Sequence, residues 1–155
     1  MSEATKPQQT NVASLIVNAQ YIKDLSFEIP GAPRIFAELA NAQTELNIQV
    51  NLASEPLQEK TYEVVLRITV EAKGAGKTAF IAELAYAGVF TVDVAPEHLE
   101  PVLLVECPRL LFPFARATLA EITREGGFPP VILQPMDFVA LYQARMQQQG
   151  TAGTA

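Results

Sequence analysis

YIKDLSFEIPGAP, residues 21–33, alternates and then turns. Leu25, Phe27 and Ile29 point to one side of a pleated strand and Asp24, Ser26 and Glu28 to the other, because successive strand side chains take opposite faces. One face is apolar and suits a core, while the other carries two carboxylates and suits water. Pro30 and Pro33, with Gly31 and Ala32 between them, end the strand.

The same period of two recurs downstream. In 45–52, Leu46, Ile48, Val50 and Leu52 alternate with Glu45, Asn47, Gln49 and Asn51. In 62–71, Tyr62, Val64, Leu66, Ile68 and Val70 oppose Glu63, Val65, Arg67, Thr69 and Glu71. A glycine-containing turn at 73–77 leads into a fourth strand over 78–92. Four successive strands on short or irregular links predict an antiparallel sheet.

Beyond residue 95 the period changes. Segments 96–106 and 108–125 predict helices, the second with Leu110, Leu111, Phe114, Ala115, Leu119 and Ile122 at helical spacing. Gly126 and Gly127 supply a C-terminal stop. FPPVILQP, residues 128–135, is too rich in proline for a helix and predicts an extended crossing, followed by a shorter helix from Pro135 that sets Phe138, Leu141, Tyr142 and Arg145 along one side. The expected fold is α+β: a four-stranded antiparallel sheet with a long helix and a shorter C-terminal helix packed on one face. Residues 1–11 are expected to form a flexible N-terminal segment, 12–146 a single domain, and 147–155 a flexible tail.

At 155 residues the chain fits one domain, which buries roughly two-thirds of its unfolded surface. One cysteine excludes an internal disulfide, and no basic start followed by an apolar run marks a secretory signal, so a cytoplasmic location is expected. No apolar stretch reaches the roughly 20 residues of a membrane-spanning helix, so direct membrane insertion is not expected. The net charge is -6 and the basic residues are scattered, which argues against nucleic acid and for a basic protein partner. Val65, Ile81, Ala85 and Val89 add apolar positions on the face opposite the main apolar one. A sheet apolar on both faces needs two covers, and a chain with this little helix would find the second in another copy of itself.

Catalytic and cofactor chemistry find little footing. The only enzyme-like set is Cys107 with His98 and Asp93, and on one helix the nine residues between His98 and Cys107 amount to about 13 Å of rise, too far for a proton transfer. One Cys and one His cannot make a structural zinc set, and Gly74-Ala-Gly76-Lys77 lacks the glycine spacing of a phosphate loop. No catalytic residue, metal or cofactor is expected.

Several motifs, in order, resemble the SecB family of export chaperones. Tyr21, Lys23, Asp24, Ser26, Phe27, Glu28, Pro30, Ala32 and Pro33 match its opening, and 62–70, YEVVLRITV, is similar to its central strand. Thr78-Ala-Phe80 with Glu83 resembles the succeeding strand, and Cys107-Pro108, Leu111-Phe112-Pro113 and Ala115-Arg116 the long-helix signature. Phe128-Pro129, Pro135, Phe138 and Ala140-Leu141 close the pattern.

The resemblance implies a cytosolic homotetramer, built as a dimer of dimers, that holds precursor proteins unfolded without ATP and delivers them to the translocation motor SecA. Carried over by motif, the motor contact maps to Asp24, Glu28, Ile81 and Glu83. The client groove maps to Phe36, Ile48, Val50 and Phe80, with Phe80 taken as groove rather than core, so that Phe80→Ala is expected to weaken client binding with little loss of stability. Members of the family often carry a tryptophan in the loop after the Ala-Pro turn, which this chain lacks, and its tail is short and uncharged. Two other readings stand beside this one: a SecB-like chaperone serving a toxin-antitoxin system, and a small apolar-ligand carrier using the helix-covered sheet as its pocket.

Overall fold

The computed structural model describes residues 14–152, with side chains through 149. The expected N-terminal segment, 1–11, lies outside the described residues. Four long strands form one antiparallel sheet: β1 (Ser14–Glu28), β2 (Glu45–Gln58), β3 (Thr61–Gly74) and β4 (Lys77–Asp93). β2, β3 and β4 run beyond the bounds their alternation suggested, and β1 starts earlier than expected but ends at Glu28, just short of Ile29. Their order is β1-β4-β3-β2, so β1 and β2, consecutive in the chain, are the two edges of the sheet. The connection between them carries a single short helix, α1 (Arg34–Glu38).

The two hairpins follow from turn chemistry. Between β3 and β4, Ala75 and Gly76 both have positive φ, 53° and 71°, the pairing that matches the twist of antiparallel strands. Between β2 and β3, Lys60 takes φ 59°.

The helical part departs from the expected division. Rather than breaking at Cys107-Pro108, the chain continues as one rod: α2 (Pro96–Pro101), a π-helical turn (Val102–Glu106) and α3 (Cys107–Glu125). A proline ring normally clashes with the carbonyl four residues back. Here the Cys107 N–H reaches back to the Val102 carbonyl, five residues away, and this wider turn precedes Pro108. The rod ends as expected on glycine, with Gly127 at φ 91° and the Phe128 N–H donating to the Thr123 carbonyl at 3.1 Å. Residues 128–137 cross without helix, and α4 (Phe138–Ala152) begins at Phe138 rather than Pro135. Residues 147–152, assigned from sequence to the tail, lie within α4.

The extended crossing is tied down by Thr123. Its hydroxyl, fully buried, donates to the Leu119 carbonyl at 2.8 Å and accepts the Val131 N–H at 2.9 Å. This seats Val131 and Leu133 in the core.

Among the described residues, helices cover only one face of the sheet. The core lies between that face and the rod: Val64, Leu66, Ile68 and Val70 of β3, Phe80, Leu84 and Phe90 of β4, and Leu111, Ala115 and Leu119 of α3. On the other face Val65, Ala85 and Ala87 form a small second cluster beneath Tyr21. Ile81 and Val89, also expected on that face, are half-buried.

Candidate functional site

Two surfaces hold the residues singled out by sequence, one on each side of the sheet. On the uncovered side the register sets Glu28 opposite Ile81, Ser26 opposite Glu83 and Asp24 opposite Ala85. Asp24, Glu28, Ile81 and Glu83 therefore share one face across adjacent strands, with Asp24, Glu28 and Glu83 exposed and Ile81 half-buried. The Ser26 hydroxyl donates to Glu83 Oε2 at 3.4 Å.

Strand order adds a member that sequence reasoning missed. Because β4 lies between β1 and β3, Ile81 also faces Glu71, which accepts from the Thr78 hydroxyl at 3.5 Å. The result is a set of carboxylates around one aliphatic side chain. Only the β3–β4 pairing, which the hairpin implies, would have revealed Glu71.

The acidic set adjoins a polar network over the small cluster. Glu63 accepts from Lys23 Nζ at 2.6 Å and from the Tyr21 hydroxyl. The hydrogen bond from Lys23, then that from Tyr21, holds the Glu63 carboxyl below the usual carboxylate range, although burial opposes this. Burial first, and Glu63 second, push the Tyr21 hydroxyl up to about 12.

On the helix side the groove residues separate. Ile48 is 40% exposed, Phe36 41% exposed and Val50 half-buried, but Phe80 is only 2% exposed. Phe80 is a core residue: its ring lies 4.8 Å from that of Phe128 and 5.4 Å from that of Phe27. The assignment of Phe80 to groove rather than core is corrected here, since alternation gave its face but not what covers it. Phe36 is the exposed member of this aromatic group, its ring 5.3 Å from that of Phe128.

The loop carrying Phe36 is pinned to the far end of the sheet. Lys77 Nζ donates to both oxygens of Glu38 at 2.9 and 3.0 Å, and Leu39 packs so closely on Gly74 that a Cβ there would lie 2.5 Å from it. Phe36 and the apolar row of β2 thus border the same side of the sheet.

That row, Leu46, Ile48, Val50 and Leu52, is left half-open, with Leu46 46% exposed. Beside it, a cleft of about 470 Å³ is lined by Val50, Asn51 and Leu52 of β2 and by Leu141, Ala144 and Arg145 of α4. Arg145 Nη1 donates to the Leu52 carbonyl at 2.9 Å across this cleft.

Cys107 is poorly placed to act as a nucleophile. Cys107 is fully buried, and burial, with Glu106 beside it, pushes its thiol up to about 12, so almost no thiolate exists at neutral pH. His98 is exposed on α2, on the same rod. Among the described residues no helix is long and apolar enough to cross a membrane.

The chain is similar to known proteins. A family model described as preprotein translocase subunit SecB matches residues 8–149. The protein-export protein SecB of Granulibacter bethesdensis is 61% identical over 151 residues, covering 91% of this chain and 88% of its own. That of Rhodospirillum rubrum is 53% identical over 147 residues, covering 95% and 91%. Among solved structures, a Mycobacterium tuberculosis SecB-like chaperone in complex with a ChAD peptide from the HigA1 antitoxin superposes with a TM-score of 0.60 over 79% of this chain and 91% of that one, at 14% identity, a likeness of fold.

Proposed function

This chain belongs to the SecB family and is a protein-export chaperone, and on that premise we propose that it keeps precursor proteins unfolded, without ATP, and delivers them to the SecA motor. One observation carries the client half of this reading: an apolar row on β2 that the helices leave half-open at a sheet edge unpaired among the described residues. An unfolded chain offers the two things such an edge accepts, unsatisfied backbone groups and apolar side chains. Folded proteins offer neither, so selection needs no sequence code. Phe36, Ile48 and Val50 form the proposed client surface.

The acidic set supports the motor half. Glu28, Glu71 and Glu83 around Ile81, with Asp24 farther along β1 opposite Ala85, suit a partner that is basic with an apolar contact in its surface. A chaperone that served only an antitoxin would have no use for that face, which favours export over the toxin-antitoxin alternative. A small apolar-ligand carrier fits less well, since the cleft lies open at a sheet edge.

A homotetramer, as a dimer of dimers, is supported by a second unpaired edge. Ile16, Val17 and Ile22 of β1 are exposed there, as are Leu110 and Phe114 on α3, and a second copy of the chain would cover them. A cytoplasmic location follows from the same role, because precursors must be held before they cross the membrane.

The test is refolding of a slow-folding precursor in the absence of nucleotide. Stoichiometric chaperone should delay it. A delay that requires ATP, or none at excess chaperone, would end the proposal.

A further inference from the structure

Arg145 sits where an incoming strand would have to bind. The direction of the Leu52 carbonyl follows from the ladder. The two-residue turn at Ala75-Gly76 is closed by the pair Gly74 and Lys77, so Gly74 directs its N–H and C=O toward β4. Alternation along β3 then gives the same direction to every even-numbered residue, Leu66 included. Leu66 stands opposite Leu52, so Leu52 and its even-numbered neighbours on β2 turn their N–H and C=O groups away from β3, to the free edge. Pro56 agrees with this, since it belongs to the same even set and a proline in an edge strand faces its missing donor outward.

Leu52 therefore offers its carbonyl to whatever pairs with β2, and Arg145 Nη1 occupies it at 2.9 Å. The next strand of a sheet runs about 4.8 Å from its neighbour. Backbone placed there would pass through the volume that the guanidinium fills.

We propose that Arg145 is a gate on the free edge of β2: it caps the Leu52 carbonyl in the unloaded chaperone, and an extended client displaces it by donating a backbone N–H in its place. This rests on the client-holding reading above and adds to it the residue that sets how readily the edge is taken. Arginine suits the task, because its planar fork of N–H donors can hold a carbonyl while its stem packs along the cleft beside Leu141. Such a gate penalises weak, transient pairing more than the multiple contacts of a long unfolded chain.

The experiment compares wild type, Arg145→Met, which keeps an apolar stem, and Arg145→Lys. The probes are a short neutral peptide alternating valine and threonine, and the same peptide N-methylated at every residue so that neither of its edges can donate a backbone N–H. Arg145→Met should bind the unmodified peptide about three- to tenfold more tightly, the scale of one hydrogen bond no longer displaced, and Arg145→Lys should fall between. The N-methylated peptide should show no gain. Equal or weaker binding of the unmodified peptide by Arg145→Met overturns the gate, as does an equal gain for both peptides. A wild type that binds no unfolded precursor at all overturns the client-holding reading itself, which separates the two failures.

Discussion

β2 and β3 are neighbours with nearly the same alternation, yet one row is core and the other is open. Val64, Leu66, Ile68 and Val70 on β3 are completely buried, whereas Leu46 and Ile48 on β2 keep 46% and 40% of their surface. The strands do not differ in chemistry; they differ in what lies above them. α3 packs on β4 and β3, whereas the contacts above β2 come from the π-helical turn and from Arg145 of α4. A pattern that reads as half-buried strand thus becomes core or binding surface according to how far a helix, set by another part of the chain, extends across the sheet.

The largest expected effect breaks the covered side. Phe80→Ala should cost about 3–5 kcal/mol, through lost burial and the cavity left among Phe27, Phe128 and the rod. A urea series measures it, and a small midpoint shift with weakened client binding would return Phe80 to the groove. Next comes the opposite face. Glu83→Lys should weaken SecA binding by about 1–3 kcal/mol, more at low salt than at high, while client holding persists. Titration of the motor at two ionic strengths decides it, and equal loss of both activities would point to a damaged fold.

The network beneath that face is worth less. Glu63→Gln should cost about 1 kcal/mol at neutral pH, since a charge-assisted acceptor becomes a neutral one. Its pH dependence has a definite sign. A carboxyl whose folded pKa is lowered stabilises above its unfolded value and loses that share as pH falls, so the Glu63 contribution is present at neutral pH and disappears below about pH 4. Tyr21 acts at the other end: its pKa is raised to about 12, so its share holds below about pH 10 and is lost as pH climbs toward 12. Urea midpoints across pH, for wild type and Glu63→Gln, should converge in acid. The smallest effect on stability is Ile48→Ser, within about 0.5 kcal/mol for a position this open. Its client affinity should nevertheless fall, and a fall in stability instead would make β2 as much core as β3.

Local rules made much of this legible. Period-two alternation placed all four strands and set Asp24 and Glu28 on one face of β1 and Ile81 and Glu83 on one face of β4, but grouping the two pairs rested on the resemblance to SecB until the register joined them. The positive-φ turn at Ala75-Gly76 followed from glycine. What escaped lay between distant segments. Pro108 argued for a helix break, and only the wider turn ahead of it, formed under packing from Leu103, Leu104 and Val105, carries the rod through. Phe80 had the right face, but its cover comes from Phe128, beyond the rod. Arg145 reaches a carbonyl 93 residues away, and no local pattern signals that.

The strand order also sets a timetable for synthesis. β1 leaves the ribosome first, yet its partner is β4, with Glu28 waiting for Ile81 and Ser14 for Asp93. At about 5–20 residues per second the gap between Glu28 and Ile81 takes roughly 3–10 s to translate. During that interval β1 is an apolar strand with both edges free, the kind of segment that pairs with the wrong chain. Irregularities near Asn18 and Lys23 interrupt its ladder, and Lys23 and Asp24 put charge on it. Until its own last strand arrives, the nascent chaperone is in the position of the unfolded proteins it will later hold.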